Sequence, residues 1–337
     1  MRRLLTFVPV LVAGLCLLAV TAFGQQKLAQ TGMKFLNVSL DARATALGEA
    51  LTAIEGGASS MFYNPAGMSR MTGLADVALG QVQWIADIKH NYAAVSLSPF
   101  DGEFGVLGLM IQTVDYGDLQ GTILDFSTAK GYDDIGTFNP KATMIGLGYA
   151  RALSDKFSVG GAVKWMHQNL GSGVIALGAG GDQITRSDIA EVLAFDFGMD
   201  YKTGYKSLQF GVVIKNFSKE ARYIDEGFQL PLVFRLGVSM NVADYFTSDK
   251  DMHQLLVSIE AEHPRDYPER VKMGAEYTFM RMLSLRAGFI SLADEQKFSY
   301  GVGLQKTIGP VGLGVDYAYT PFGVFDKVHT FALRFSF

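Results

Sequence analysis

The chain is short of cysteine and of charge: it has one cysteine, and charged side chains make up 18% of it. The cysteine, Cys16, lies in an apolar run from Leu4 to Val20 that follows Arg2 and Arg3 and leads to Ala22-Phe23-Gly24. Residues 1–24 therefore read as an export signal cut before Gln25, the alternative being a membrane helix of marginal length. Leu15, where a small residue would be needed before Cys16, excludes a lipoprotein signal. With the signal removed the chain has no thiol, which excludes disulfides and cysteine metal sites. Beyond it, no apolar stretch approaches the roughly 18 residues of a spanning helix. Loss of Arg2 and Arg3 leaves 27 of the 29 basic residues against 33 acidic ones, a net charge of about −6 that excludes nucleic acid as the expected partner.

What is abundant is glycine, with 38 residues, and aromatic side chains at 12%. An apolar chain without a spanning helix is either a soluble all-β protein or a membrane β-barrel. The last ten residues favour the barrel. His329, Phe331, Leu333, Phe335 and Phe337 share one face, and Val328, Thr330, Ala332, Arg334 and Ser336 the other. A strand with a greasy face toward lipid and a small or charged face toward a lumen has this pattern. Phe335 and the terminal Phe337 resemble the end signal that the barrel insertion machinery of bacterial outer membranes reads.

Period-two alternation recurs in about fourteen segments, starting near residues 74, 89, 102, 140, 157, 192, 207, 230, 253, 269, 283, 297, 310 and 327. The expected fold is an all-β, antiparallel up-and-down transmembrane barrel of about 14 strands in outer-membrane lipid. Residues 100–103, 154–156, 203–206, 280–282 and 308–310 make tight connections, expected in the periplasm, and 116–139, 171–191 and 218–229 make long outer loops. Residues 243–252 break the rule as a long periplasmic turn. Opposite the apolar face lie Lys164, Asp196, Asp200, Arg235, Glu260, Glu262, Lys272, Glu276, Arg286, Asp316 and Arg334, expected in the lumen, where mutual neutralisation is the simplest role for each. Trp84, Tyr92, Trp165, Tyr277, Tyr317 and Tyr319 are candidates for interfacial girdles or for packing.

Residues 25–73 do not alternate. Asp41 to Ala53 favours a short helix with Asp41 as cap and Arg43 on its surface, ended by Gly56 and Gly57. Asn64-Pro65-Ala66-Gly67 is a turn in which Pro65 fixes its φ, Asn64 bonds the backbone ahead, and Gly67 takes a conformation costly to other residues. The helix text with Leu47-Gly48-Glu49-Ala50, followed by Phe62-Tyr-Asn-Pro-Ala-Gly-Met68, resembles the PorV/PorQ family of outer-membrane proteins. The similarity continues through Trp84-Ile-Ala-Asp-Ile-Lys89, Asp115-Tyr-Gly-Asp118, Phe157 to Lys164 and Ile214-Lys-Asn216, and covers residues 35 to about 220. The distantly similar FadL channels share the Asn-Pro-Ala-Gly turn. The resemblance implies a FadL-like barrel (74–337) with residues 25–73 as a plug in or under its lumen. The alternative is a periplasmic helix beneath an open pore. It also implies that Arg43 pairs with a lumenal carboxylate.

The five histidines, His90, His167, His253, His263 and His329, stand apart, and none shares metal-ligand spacing with another. Ser258 and His263 lie on one strand but on opposite faces, and no Gly-x-Ser-x-Gly elbow or phosphate loop occurs. No enzyme, catalytic residue, metal or cofactor is expected. The resemblance implies a protein-interaction role in type IX-like secretion, with exported cargo domains or translocon components bound by the outer loops. A FadL-like channel for hydrophobic or small solutes is the alternative. For that channel the third strand is relevant, with Phe104, Val106 and Met110 on one side and Leu107, Leu109 and Ile111 on the other; packing of the inner set against the plug is the favoured reading.

Overall fold

The computed structural model describes residues 31–337 except 127, 178–182, 224, 225, 248, 250, 294 and 326. The export signal and residues 25–30 of the expected plug lie outside the described residues. The strands are β1 (Ala75–Gln83), β2 (Lys89–Leu97), β3 (Val106–Asp115), β4 (Leu119–Leu124), β5 (Tyr132–Phe138), β6 (Lys141–Ala152), β7 (Phe157–Leu177), β8 (Gln183–Lys202), β9 (Gln209–Ser218), β10 (Ala221–Tyr223), β11 (Glu226–Phe228), β12 (Val233–Asn241), β13 (His253–Pro264), β14 (Arg270–Phe279), β15 (Leu283–Ile290), β16 (Phe298–Ile308), β17 (Val311–Pro321) and β18 (Lys327–Ser336). Fourteen of them form one closed antiparallel barrel in meander order, and β4–β5 and β10–β11 are separate hairpins in the long loops. Each barrel strand pairs on both sides, so no backbone edge faces lipid.

Closure is made by β1 against β18, with Asp76 opposite Ser336 and Gln83 opposite His329. Phe337 seals the rim at the tight-turn end: its carbonyl accepts from Leu74 N at 2.7 Å, and its amide donates to Ala75 O at 2.8 Å. The outward set on the wall is apolar and exposed, including Leu107, Leu109, Leu147, Phe195, Phe197, Leu285, Val302 and Leu333. Such a face on a closed barrel is lipid-facing.

Two strand expectations change. β8 begins at Gln183 rather than near 192, because β7 and β8 run on as a paired ribbon to Leu177 opposite Gln183. That ribbon stands beyond the lipid-facing band, so its ladder needs no greasy face and leaves no alternation to read. β3 begins at Val106, after a 3-10 turn at Pro99–Gly102 with left-handed Phe100 and Asp101, so Phe104 belongs to the connection and is exposed. The long connection 243–252 opens with a 3-10 turn, Val242–Tyr245, tied to the neighbouring turn by Ser207 Oγ donating to Asp244 at 2.6 Å.

Residues 33–68 lie inside the barrel. Met33, Phe35, Leu47, Met61, Met68 and their neighbours share one core with inward residues of the wall such as Val106 and Met110. The inner set of β3 therefore packs on the plug: a Cβ added to Gly108 would meet Met61 Sδ at 2.3 Å.

Candidate functional site

The plug crosses the whole lumen. At the long-loop end Thr31 bridges Gln229, Gly32 N donates to Gln229 O at 3.1 Å, and Thr31 Oγ1 donates to Asp266 at 2.8 Å, which also pairs with Lys34. At the tight-turn end Arg70 donates to Ser158 Oγ at 3.1 Å and Ser154 O at 2.8 Å. The segment 31–70 is therefore a thread through the barrel and not a helix lying beneath it.

Its helix, α1 (Ala42–Ala46), is only five residues long, shorter than the expected 41–53. Asp41 caps it through Ala44 N at 3.0 Å. It ends because Gly48 and Glu49 both adopt positive φ, 61° and 64°. For Glu49 that backbone is costly, and the wall compensates it with an ion pair to Lys272 at 2.8 Å. Tyr63 Oη accepts from the amides of Leu40 and Asp41 at 3.2 and 3.1 Å, folding the helix entry onto the later turn.

Asn64 Oδ1 accepts from Ala66 N at 3.1 Å, starting a 3-10 turn over Pro65–Met68. Its Nδ2 donates to Thr52 O at 2.7 Å, Asp200 Oδ1 at 2.9 Å and Met199 O at 3.2 Å, joining two plug segments to the wall. Gly67 departs from expectation: its φ is not positive, and what demands glycine is crowding, since an added Cβ would stand 3.0 Å from Ser60 Oγ.

The wall is shaped to this thread. A Cβ on Gly288 would stand 2.0 Å from Gly48 N, on Gly211 2.1 Å from Thr52 O, on Gly160 2.5 Å from Ala66 N, and on Gly198 1.9 Å from Asn64 Oδ1. Inward glycines on β7, β9 and β15 thus let plug backbone touch barrel backbone, and the one on β8 admits the Asn64 side chain.

The eleven charged residues named from the alternation all face inward, ten of them buried and Arg334 half-buried. Arg43 holds Glu276 in a bidentate pair, Nε to Oε2 at 2.9 Å and Nη2 to Oε1 at 2.7 Å. Arg286 bonds the same Glu276 and reaches Asp316 at 2.5 Å. The always-charged Arg43 guanidinium is neutralised by this pair. A second network joins Glu49 to Lys272, Lys272 to Glu262, Glu262 to Arg235 at 2.7 Å, and Glu260 to Thr52 N at 3.0 Å. In the third, Lys164 pairs with Asp196 at 2.7 Å and Asn216 at 2.5 Å, while Asn216 N donates to Asp196 at 2.8 Å. Asn216 has φ 62° at the register shift between β8 and β9, so the Ile214-Lys-Asn216 text encodes a bulge that turns both Lys215 and Asn216 inward. Sequence reasoning missed Glu49, Asp76, Lys215 and Asp266 as plug contacts. Glu49 and Lys215 stand inside quoted motifs, while Asp76 and Asp266 left no signal.

Three cavities among the described residues matter for function. The outer one, about 470 Å³, has Trp84, Ile88, His90, Tyr116 and Phe322 against Arg235, Arg270 and Lys272. The middle one is about 30 Å³, room for a water or two. The inner one, about 650 Å³, faces the tight-turn end and is polar. Tyr92, a girdle candidate, is instead buried inside, donating to Asp41 at 3.2 Å and packing edge-on against Phe62. Among the described residues no cluster of His, Cys, Asp and Glu forms a metal site.

No family model matches the sequence, and no curated protein matches it. Solved structures do match. The Pseudomonas putida toluene transporter TodX superposes with a TM-score of 0.57 at 14% identity, over 92% of this chain and 98% of that one. The Ralstonia pickettii toluene transporter TbuX gives 0.56 at 12% identity, over 88% and 97%. A Pseudomonas aeruginosa FadL homologue gives 0.51 at 10% identity, over 92% and 99%. The chain has the fold of the FadL-like bacterial outer-membrane barrels, 14 antiparallel strands closed around an amino-terminal plug.

Proposed function

We propose that the protein is a sealed outer-membrane barrel that works through its outer face, binding exported proteins in a type IX-like secretion system, as the PorV/PorQ resemblance implies. The observation that carries this reading is the plug. Ion pairs from Arg43, Glu49 and Glu55 to β14, β12 and β8 fasten it, and the mid-lumen cavity beside it holds about 30 Å³. A charged, filled lumen suits a binding platform better than a conduit for apolar solutes. The working surface is the long-loop end, where the β4–β5 hairpin and the β7–β8 ribbon project; Leu124 and Phe126 there are 75% and 89% exposed. The experiment is a deletion strain whose surface and secreted proteins are compared with wild type, with the barrel captured in mild detergent. Loss of exported proteins from the surface, and their recovery with the barrel, is expected. An unchanged surface and the barrel recovered alone would overturn the reading.

A second reading is uptake of small apolar solutes, which the toluene transporters of the same fold perform by their names. The aromatic side of the outer cavity, about 470 Å³, favours it, since that volume suits a small molecule. Its route would have to pass the charged networks. Loss of growth on a hydrophobic carbon source in the deletion strain, with export intact, would select it.

A further inference from the structure

The inner cavity is used by neither reading. It is about 650 Å³ in volume and opens at the tight-turn end, roofed by α1 through Arg43. Gly303, Gly312 and Gly314 line it, and of the three only Gly314 has room for a side chain. A Cβ on Gly314 would make only an ordinary contact, 3.4 Å from Arg334 Cβ.

Its charges do not cancel. Four guanidiniums, Arg43, Arg281, Arg286 and Arg334, and the exposed Lys306 line it with two carboxylates, Glu276 and Asp316. Both carboxylates are engaged by Arg43 and Arg286. Arg281 at the rim is paired with Asp251. Arg334 has no ion pair among the described residues: its Nη2 reaches only Ser59 Oγ at 3.4 Å, and its Nε is buried without an acceptor. The carboxylate of Asp76 on β1 contributes field to this corner but is bonded to Ala58 N at 2.6 Å. A buried guanidinium nitrogen without a partner is costly, and an anion is the group that satisfies it.

We propose that this vestibule binds an anionic solute, a carboxylate- or phosphate-bearing molecule arriving from the periplasm, with Arg334 as its principal ligand. The plug closes the vestibule to the outer face, so the site reports on the periplasm whatever the outer loops bind. Arg334 presents a forked donor suited to both oxyanions. Thr278, Ser284 and Ser336 on the surrounding wall supply hydroxyls.

The test is isothermal titration of the full-length protein in detergent at low ionic strength with inorganic phosphate and, separately, citrate. Saturable binding of either probe is expected, the stronger one identifying the oxyanion. Arg334→Gln should weaken it about tenfold or more, while Arg334→Lys keeps part of it. Gly314→Leu, which sets a side chain against Arg334 and leaves every charge in place, should weaken it too and decides the matter if Arg334→Gln fails to fold. Absence of saturable binding up to about 10 mM of either probe would overturn the proposal, as would binding that a folded Arg334→Gln or Gly314→Leu leaves unchanged.

Discussion

Replacing Arg43 by alanine should loosen the plug without opening the barrel wall. In the native protein Arg43 and Arg286 balance Glu276 and Asp316, a neutral buried cluster. Without Arg43 the cluster carries one uncompensated negative charge, and Glu276 loses a bidentate partner at 2.7 and 2.9 Å. Breaking a buried pair from one side costs about 3–5 kcal/mol, which raises the population of plug-open molecules roughly a hundred- to a few-thousandfold. Ser59→Cys places a thiol on the buried part of the plug, and its labelling rate reads that population. Glu276→Ala should act similarly, with the opposite net charge. The double variant leaves Arg286 with Asp316, a neutral pair, and should cost clearly less than the sum of the two single changes. A labelling rate within about twofold of the parent in a folded Arg43→Ala barrel would refute the electrostatic latch and leave packing alone as the fastening.

Three further outcomes are expected. Gly288→Val pushes a side chain onto Gly48 N, where neither backbone can yield, so the folded, heat-modifiable band on a gel should be lost or strongly reduced. Asn64→Ala removes three donated bonds and a cap and should lower stability by about 2–4 kcal/mol in urea unfolding, while Asn64→Asp should be worse because it sets a second carboxylate beside Asp200. Lys34→Cys, beside the outer-loop residue Asp266, should react with a membrane-impermeant maleimide on intact cells, whereas Phe246→Cys, exposed at the other end, should react only after the outer membrane is permeabilised.

How much could be read in advance followed the physics of each segment. Where a strand has lipid on one side and a lumen on the other, composition alternates, and β9, β13, β14, β17 and β18 begin within two residues of where that alternation starts. The same alternation named the charges of the inner wall. It failed where lipid no longer imposes a face, as in the outer part of β7 and β8, and where backbone is reversed by left-handed residues, as at Phe100 and Asp101 before β3. In the plug, Asn64 and Asp41 were legible as caps because their side chains act on amides two or three residues ahead. The pairing of Arg43 with Glu276 spans 233 residues and depends on barrel register, which no local pattern encodes. Gly48 and Gly67 looked alike as text. The first is required by its φ and the second by contact with Ser60.

The central claim is that the thread from Thr31 to Arg70 seals the lumen. Its most direct test is ion conductance in a planar lipid bilayer, comparing the parent with a variant deleted for residues 31–68. No steady conductance is expected for the parent, and open-channel steps for the deletion. Steady open-channel conductance of the parent, at the level of the deletion, would contradict it.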